Sequence, residues 1–346
     1  MRLVFVTQQI DPGHPALAAT VPMVRALAAQ VDEVVVLADR ALPEVLPANC
    51  RVRSFGAAAR AGRGLKFESA LALELAHRPR PAAVVAHMCP IYAVLAAPLA
   101  RPVGTKVLLW FTHWRASRTL RLAERVSNAV LSVDRRTFPL PSAKVRGIGH
   151  GIDLSEFPCS DAEPAHSDLR LLALGRYSTA KGLEVVLRGL RLAVDGGLDA
   201  RLELYGPALS PAEREHRAQL ERLVGELELE RRVRLGHAVL RSEVPALLGR
   251  ADVLVNNMRA GATDKVVYEA CASCTPAVAS NPAFDTLLPD ELRFDRDDPR
   301  TLADRLLALG ASPPEARRRL GRDLRERVAA GHSVESWAAA VVEAAT

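Results

Sequence analysis

The sequence predicts an α/β protein with two doubly wound parallel-sheet domains, and three observations lead to this fold class. Short β-branched runs alternate with longer Ala- and Leu-rich segments whose apolar residues recur three and four positions apart, as in strands connected by helices. The alternation starts again after residue 160. A chain of 346 residues is also long enough for two domains of about 100–200 residues each.

The predicted strands form two sets, one in each half of the chain. The first set is LVFVT, EVVVLA, RVRSF, AAVVAH, KVLLWF and AVLSV, and the second is LRLLALG, ARLELYG, RVRLG, ADVLVNN and PAVAS. The longest uncharged run, residues 81–100, contains Pro90, Pro98 and His87. We therefore interpret it as the strand AAVVAH followed by the helix IYAVLAAPLA and not as a membrane span.

The domain boundaries follow from local composition. The segment FPCSDAEPAHSD is polar and contains prolines, which predicts a linker between an N-terminal domain at 1–160 and a second domain at 161–330. The last segment, 331–346, includes HSVESWAAAVVEAAT, where a serine can cap a helix that carries an apolar stripe. A terminal helix is therefore expected.

Charge and aromatic content restrict the classes of partner. The net charge is +6, but the basic residues never form a run of five or more, and aromatic residues make up only 4% of the chain. Nucleic-acid binding is therefore not expected. A phosphorylated ligand or an anionic membrane surface remains open as the reason for the positive charge.

One segment offers a surface for a membrane contact. In AGRGLKFESALALELAH, an apolar stripe is surrounded by the basic residues Arg60, Arg63, Lys66, Arg78 and Arg80. A solvated face on an ordinary helix is the alternative. The N-terminal apolar run of four residues is too short for a signal peptide, so we expect a cytoplasmic protein, with peripheral contact at the inner face of the membrane left open. None of the five cysteines needs a disulfide partner in a reducing compartment.

The first candidate ligand site lies in LGRYSTAKGLEVVLRGL. A strand is predicted to end at Gly175, Arg176 follows directly, and Lys181 lies five residues further on, where a helix begins. Two cations and a helix N-terminus at the carboxyl edge of a parallel sheet suit a diphosphate. Two solvated surface cations are the alternative.

The second candidate site lies in NNMRAGATDKVVYEACASCTPAVAS. After a predicted strand, the small residues Gly261, Ala262 and Thr263 can bring main-chain amides close to an anion, and Lys265 adds charge in the first helical turn. Glu269 lies a little over one turn further on, where its carboxylate could accept hydrogen bonds from vicinal hydroxyl groups. A capping or solvated carboxylate is the alternative.

Together these segments resemble the retaining GT-B glycosyltransferases, specifically family four, often called glycosyl transferases group 1. The resemblance runs from GHGIDLSEF through GRYSTAKG, LYGP, VRLGHAV and DKVVYEACASCTPAVAS to HSVESWAAAVVEA, and the first domain matches more loosely. It implies two Rossmann-like domains that face a cleft. It also implies a C-terminal helix that crosses back to the N-terminal domain.

The resemblance assigns roles to individual residues. Arg176 and Lys181 match the basic pair that holds the donor diphosphate, and Glu269 matches the second Glu of the EX7E motif, which holds the nucleotide ribose. His113, in LLWFTHW, matches the N-domain histidine near the transferred sugar and completes the expected catalytic set with the two cations. The other expected donor contacts are His237 and Val239, in the loop that borders the base, and Thr263, Asp264, Lys265 and Val266.

The acceptor side is expected in TQQIDPGHP, which follows the first strand. Gln8, Asp11, Gly13 and His14 would lie at the interdomain cleft. Turn formation by Asp-Pro-Gly is the alternative.

One position departs from the family pattern. The first Glu of EX7E should stand eight residues before Glu269, where this chain has Gly261, and the usual Gly-Phe-Gly is Ala262, Thr263 and Asp264. Either Thr263 or Asp264 holds the hydroxyl groups of the donor sugar, or transfer is weakened. Asp264 could instead be only the N-cap of the next helix.

No metal and no cofactor besides a nucleotide-diphosphate sugar are expected. Asp295-Arg296-Asp297 spells a DxD sequence but lies in a polar loop, and Cys271 and Cys274 have CxxC spacing without a second pair to complete a zinc site. Both cysteines fall where the family has helix residues.

By this resemblance, the chain is expected to be a metal-independent retaining glycosyltransferase that moves a sugar from a nucleotide-diphosphate sugar to an unidentified acceptor, a small molecule, lipid or glycan. The nucleotide diphosphate would depart from the front face. A catalytically silent GT-B subunit that binds a nucleotide sugar or a partner is the alternative that Gly261 suggests. A sugar-nucleotide epimerase of the same fold is a weaker one.

Overall fold

The computed structural model describes residues 1–14, 17–160, 167–261 and 263–346. It contains two compact units, unit 1 (Met1–Asp153 with Gly331–Thr346) and unit 2 (Leu154–Ala330). The first boundary therefore follows Asp153 and not residue 160, and the predicted linker residues 161–166 lie outside the described residues. Both units are parallel α/β structures, which confirms the predicted fold class.

Unit 1 is built on a seven-stranded parallel sheet with the order β3-β2-β1-β4-β5-β6-β7. Its strands are β1 (Arg2–Ile10), β2 (Glu33–Ala41), β3 (Cys50–Ser54), β4 (Ala83–His87), β5 (Lys106–Trp110), β6 (Ala129–Ser132) and β7 (Val145–Gly147). Its helices are α1 (Thr20–Ala28), α2 (Arg60–Ala76), α3 (Pro90–Ala100), α4 (Arg118–Val126) and α11 (Val334–Ala345). The first six strands were predicted, and β7 was not.

The central strands of unit 1 read as continuous apolar runs because helices cover both faces of the sheet. Leu3, Val4, Phe5 and Val6 on β1 are all fully buried. The uncharged run 81–100 folds as β4 and α3, as predicted. Among the helices that the structure describes, none combines the length and the apolar character needed to cross a membrane.

The C-terminal helix belongs to unit 1, as the fold class predicted. Ser333 caps α11 by accepting a hydrogen bond from Ser336 N at 3.1 Å. Trp337 is fully buried, and its ring lies 6.5 Å from that of Phe5 and 5.8 Å from that of Trp110. The end of the chain thus completes the core of the unit that begins it.

Unit 2 has a five-stranded parallel sheet with the order β10-β9-β8-β11-β12. All five strands were predicted: β8 (Leu169–Leu174), β9 (Ala200–Tyr205), β10 (Val233–Leu235), β11 (Val253–Asn256) and β12 (Ala277–Ala279). Its helices are α5 (Leu183–Asp195), α6 (Pro211–Glu226), α7 (Val244–Arg250), α8 (Lys265–Ala272), α9 (Pro299–Ala311) and α10 (Pro314–His332), whose last two residues belong to unit 1. The chain order reverses between β8 and β11, and open α/β sheets bind ligands at the carboxyl edge of such a switch point.

A disulfide joins Cys159 to Cys274 within unit 2. No cysteine pair was predicted, because the protein was expected in a reducing compartment, and the two residues are 115 positions apart in the sequence. It also placed Cys274 in a helix. The structure corrects this: α8 ends at Ala272, and Cys274 has a φ of 58° in the turn that follows.

Candidate functional site

The first part of the site lies where β8 ends and the chain turns into α5. Gly175 has a φ of 131°, and a Cβ atom there would lie 2.4 Å from Nζ of Lys181. Glycine at this position therefore lets the Lys181 side chain lie across the end of the strand. Lys181 is the last residue of a short 3-10 turn, Thr179–Lys181, and its Nζ donates to the Leu174 carbonyl at 3.2 Å.

Arg176 is the more exposed of the two predicted diphosphate cations. Its side chain is 61% exposed, and its ion pair with Glu213 Oε1 is 3.4 Å long. Glu213 is also engaged in the cap of α6, where Oε2 accepts from Leu209 N and Ser210 N. An ion pair this exposed contributes about 0–1 kcal/mol, so a ligand can recruit Arg176 at small cost.

Asp264 forms an ion pair with Lys181, the lysine predicted to bind a diphosphate. Its Oδ2 forms an ion pair with Lys181 Nζ and accepts a hydrogen bond from Asn256 Nδ2 at 2.8 Å. Asp264 occupies the N-cap position of α8, but its side chain makes no capping hydrogen bond. The capping alternative is therefore wrong, because the carboxylate is held by side chains on neighbouring strands and turns.

Glu269, on α8, is buried beside two cations. Its Oε1 accepts from Arg241 NH1 at 2.5 Å and lies 3.7 Å from Lys265 Nζ. Arg241 also pairs with Glu156 at 3.2 Å, and its guanidinium lies 5.0 Å from the centre of the Phe157 ring. This network fixes the orientation of the Glu269 carboxylate.

The surroundings of Lys265 in this network disfavour the charged form of its side chain. The pKa of Lys265 is lowered from 10.5 to about 8, mainly by burial, because Glu269 opposes the shift only in part and the nearby Arg241 adds to it. Lys265 therefore begins to lose its proton close to physiological pH.

Three buried polar atoms lie in the segments that follow β11 and β12. Thr263 Oγ1, Asn257 Oδ1 and Ser280 Oγ have no hydrogen-bond partner in the part of the chain that the structure describes. Asn257 is held by its Nδ2, which donates to the Gly182 carbonyl at 2.8 Å. Most buried polar atoms in proteins are paired, so these three are candidates for ligand contacts.

The loop predicted to border the base follows β10. His237 is exposed, and its Nδ1 lies 3.0 Å from Arg217 NH1. Val239 is half-buried in the same loop, whereas Val266 is buried on α8. The loop is anchored by the buried Tyr177, whose hydroxyl donates to the Gly236 carbonyl at 2.7 Å.

The comparison with known families identifies the domain in the second half of the chain. Residues 168–312 match the family model for glycosyl transferases group 1. This segment, most of unit 2, is a glycosyl transferases group 1 domain. No curated protein matches it.

Solved structures similar to this glycosyltransferase cover nearly its whole length. A sucrose-phosphate synthase from Thermosynechococcus elongatus has 19% identity and a TM-score of 0.74, with 99% of this chain and 97% of that chain covered. A glycosyltransferase from Rickettsia africae has 12% identity and a TM-score of 0.77 at the same coverage. An E. coli trehalose-6-phosphate structure bound with UDP-2-fluoro glucose has 14% identity and a TM-score of 0.72, with 100% and 99% covered. At these identities the similarity shows the GT-B fold.

Position 261, where the family has its first motif Glu, differs from the family in its side chain, and its backbone conformation also disfavours a Glu. Gly261 has a φ of 116°, a conformation that residues with a Cβ atom rarely adopt. A Glu at this position would therefore strain the loop. Ala262, which follows, lies outside the described residues.

His113, the predicted catalytic residue of unit 1, is exposed in the loop after β5. Its Nδ1 accepts a hydrogen bond from Arg115 N at 3.0 Å, and its ring stacks on Trp114 at 5.5 Å. The loop thus holds the imidazole by one nitrogen. Its role in transfer stays a prediction.

Of the predicted acceptor residues, Gln8 lies near the end of β1, and Asp11, Gly13 and His14 follow the strand in a turn. Asp11 Oδ1 accepts from Gly13 N at 2.8 Å, and His14 Nδ1 accepts from Leu17 N at 3.0 Å. Gln8 donates to Cys89 Sγ at 3.0 Å. The turn-forming alternative for Asp-Pro-Gly is therefore present, and an acceptor role for these residues remains a prediction.

The α2 surface predicted to contact a membrane is partly used within unit 1. Arg63 pairs with a carboxylate at 3.4 Å, and Lys66 and Arg80 donate to main-chain carbonyl groups. Leu65 and Leu73 are 66% and 55% exposed. Three of the five named cations thus have partners in the fold.

Several site residues were missed from the sequence. Asn256 and Asn257 had a local signal, because two amides end an otherwise apolar strand. Arg241 and Glu156 had no local signal, because Arg241 is brought to Glu269, and Glu156 to Arg241, only by the tertiary structure.

Proposed function

We propose that this glycosyltransferase moves a sugar from a nucleotide-diphosphate sugar to an acceptor hydroxyl with retention of configuration and without a metal ion. One observation supports this most strongly: Arg176 and Lys181 lie directly after β8, at the switch point, and Lys181 is bonded to a residue at the start of α8. The proposal includes a cytoplasmic location with peripheral contact to an anionic membrane.

In this proposal, the two cations bind the diphosphate and stabilise the charge that develops on it as the sugar leaves. Arg176 swings from its exposed pair with Glu213, and Lys181 exchanges Asp264 for a phosphate oxygen. Cations already in place at the leaving group lower the barrier because little reorganisation is needed during the reaction.

In this proposal, the carboxylates of Glu269 and Asp264 accept hydrogen bonds from the hydroxyl groups of the donor. Arg241 holds Glu269 through Oε1, so Oε2 can accept from both ribose hydroxyls. Asp264, released from Lys181, is placed to accept from the hydroxyls of the sugar and so to replace the carboxylate missing at Gly261. By the family resemblance, His237 and Val239 are assigned to the base, and His113 is assigned to the transferred sugar.

The test combines donor binding with turnover. A thermal-shift panel of nucleotides and nucleotide sugars identifies the donor, because a ligand at 100 times its Kd stabilises the protein by about 2.7 kcal/mol. Arg176→Ala and Lys181→Ala should each lower kcat/KM by about 2–4 kcal/mol of transition-state stabilisation in a folded protein. Arg188→Ala, which removes an exposed arginine on α5, is the control. Wild-type turnover in either site variant would contradict the proposal.

A catalytically silent nucleotide-sugar-binding subunit is the second candidate, and the absence of a carboxylate side chain at Gly261 favours it. It predicts donor binding without hydrolysis, transfer or change in the donor. Incubation of the donor alone separates a third outcome, because the appearance of an epimer would identify an epimerase.

A further inference from the structure

Helix α4 of unit 1 and the loop before it present an unusual surface, which we name the α4 arginine face. It consists of four arginines and two apolar side chains: Arg115, Arg118, Arg121, Arg125, Trp114 and Leu122. All six are exposed, Trp114 by 40% and Leu122 by 46%. The opposite face of α4, with Leu120 and Ala123, is buried.

The charges of this face are not balanced within the fold. Inside the described ranges, none of its four arginine side chains forms an ion pair, unlike Arg63 on α2. The one acidic residue of α4, Glu124, is half-buried and accepts a hydrogen bond from Ser142. Lys144 adds a further cation, because its Nζ donates to the carbonyl groups at the end of the helix.

This arrangement is unfavourable for the helix itself. Arg118, Arg121 and Arg125 are separated by three and four residues, so like charges are neighbours on one face. Arg118 also stands in the first turn, where the helix dipole disfavours a cation. An external anionic surface would remove both penalties.

The apolar side chains indicate which kind of anionic partner fits the α4 arginine face. Leu122 lies on the same helical face as Arg118 and Arg125, and Trp114 stands in the loop before α4. Basic helix faces with interspersed Trp and Leu bind in the interface of a bilayer, where cations meet headgroups and apolar side chains enter the acyl boundary. We propose that the α4 arginine face docks unit 1 onto an anionic lipid surface. This deepens the membrane contact proposed above and does not depend on the donor chemistry.

The experiment is co-sedimentation with phosphatidylcholine vesicles, with or without phosphatidylglycerol, in the absence of any sugar substrate. The protein should bind only the anionic vesicles. The triple variant Arg118→Gln, Arg121→Gln, Arg125→Gln should lose about a hundredfold in partitioning, since each basic side chain near such a surface contributes about fivefold. Its folding should be intact, as checked by circular dichroism, because the three side chains are exposed.

Two matched controls make the result specific to this face. Arg188→Gln, Arg319→Gln, Arg322→Gln removes the same charge from exposed positions of unit 2 and should bind like the wild type. Leu122→Ser should weaken binding several-fold, whereas Leu73→Ser, on the exposed face of α2, should not.

Three results would overturn the proposal. The first is equal loss in both triple variants, which would indicate a net-charge effect. The second is loss in Leu73→Ser but not in Leu122→Ser, which would assign the contact to α2. The third is a wild-type protein that binds heparin but no vesicle, which would indicate a soluble polyanion. Failure of sugar transfer alone would leave the docking surface untouched.

Discussion

Asp264→Asn tests whether the Asp264 carboxylate competes with a diphosphate for Lys181, because the two side chains form an ion pair. Asn preserves the size of the side chain and can still accept from Asn256. It removes one negative charge from a site in which Lys181 is only 14% exposed and Asp264 only 19%. A diphosphate bound to Lys181 would no longer compete with a carboxylate.

The size of the effect follows from Coulomb's law. A unit charge roughly 5–6 Å from another interacts by about 3 kcal/mol at an effective dielectric constant of about 20, and solvent screening leaves about 1–3 kcal/mol. The affinity for a nucleoside diphosphate should therefore rise about tenfold to a hundredfold. Turnover should fall, because the amide cannot replace a carboxylate that accepts from two sugar hydroxyls.

Isothermal titration calorimetry with inorganic pyrophosphate and with the nucleoside diphosphate selected by the thermal-shift panel measures the first effect. Asp323→Asn, an exposed site on α10 with the same charge change, is the control. The variant should lose up to about 3 kcal/mol of unfolding free energy, because one partner of a largely buried ion pair is neutralised, and circular dichroism checks that it remains folded. Unchanged or weaker diphosphate binding would refute the reasoning, and a wild-type protein that binds no nucleotide would instead refute the proposed function.

Three further perturbations have defined outcomes. Glu269→Ala should erase the preference for a donor with both ribose hydroxyls over its doubly deoxygenated analogue, measured as a ratio of Kd values; equal discrimination by wild type and variant would remove the ribose role. Lys265→Met should be more stable than the wild type at pH 7. Because the folded pKa of Lys265 is about 8 and the unfolded one 10.5, wild-type stability rises with pH across that window, so the difference in urea unfolding should shrink from pH 8 upward. Gly149→Ala should destabilise unit 1 by more than about 3 kcal/mol, since φ is 78° and the new Cβ would lie 2.0 Å from the Gly331 carbonyl, whereas Gly104→Ala, at a φ of 83° with no atom within 4 Å, should cost only about 1–2 kcal/mol.

The sheets were largely predictable because their strands are short and buried on both faces. Runs such as LVFVT and ADVLVNN carry enough β-branched residues to identify them without tertiary information. The exception, β7, has three residues, of which only Val145 is buried, so it leaves almost no pattern. The first domain boundary lies earlier in the chain than the predicted residue 160. The segment around Glu156 belongs to unit 2, where Glu156 contacts Arg241, 85 residues further on.

The candidate site was predictable in its residue types but not in its pairings. Arg176, Lys181 and Glu269 follow from spacing and resemblance, since they stand at strand ends and on the helix that follows. The Lys181–Asp264 pair connects residues 83 positions apart, so the sequence could offer only the local alternatives of cap or ligand for Asp264. The same reason hid the disulfide between Cys159 and Cys274.

The two crossings of the chain between units set an order for folding during synthesis. All residues of unit 2 leave the ribosome before residues 331–346 do, and those last residues supply Trp337 to the ring cluster with Phe5 and Trp110. Domains usually fold as units from the N-terminus onward. Here the core of the N-terminal sheet is completed only by residues that are synthesised after the whole of unit 2.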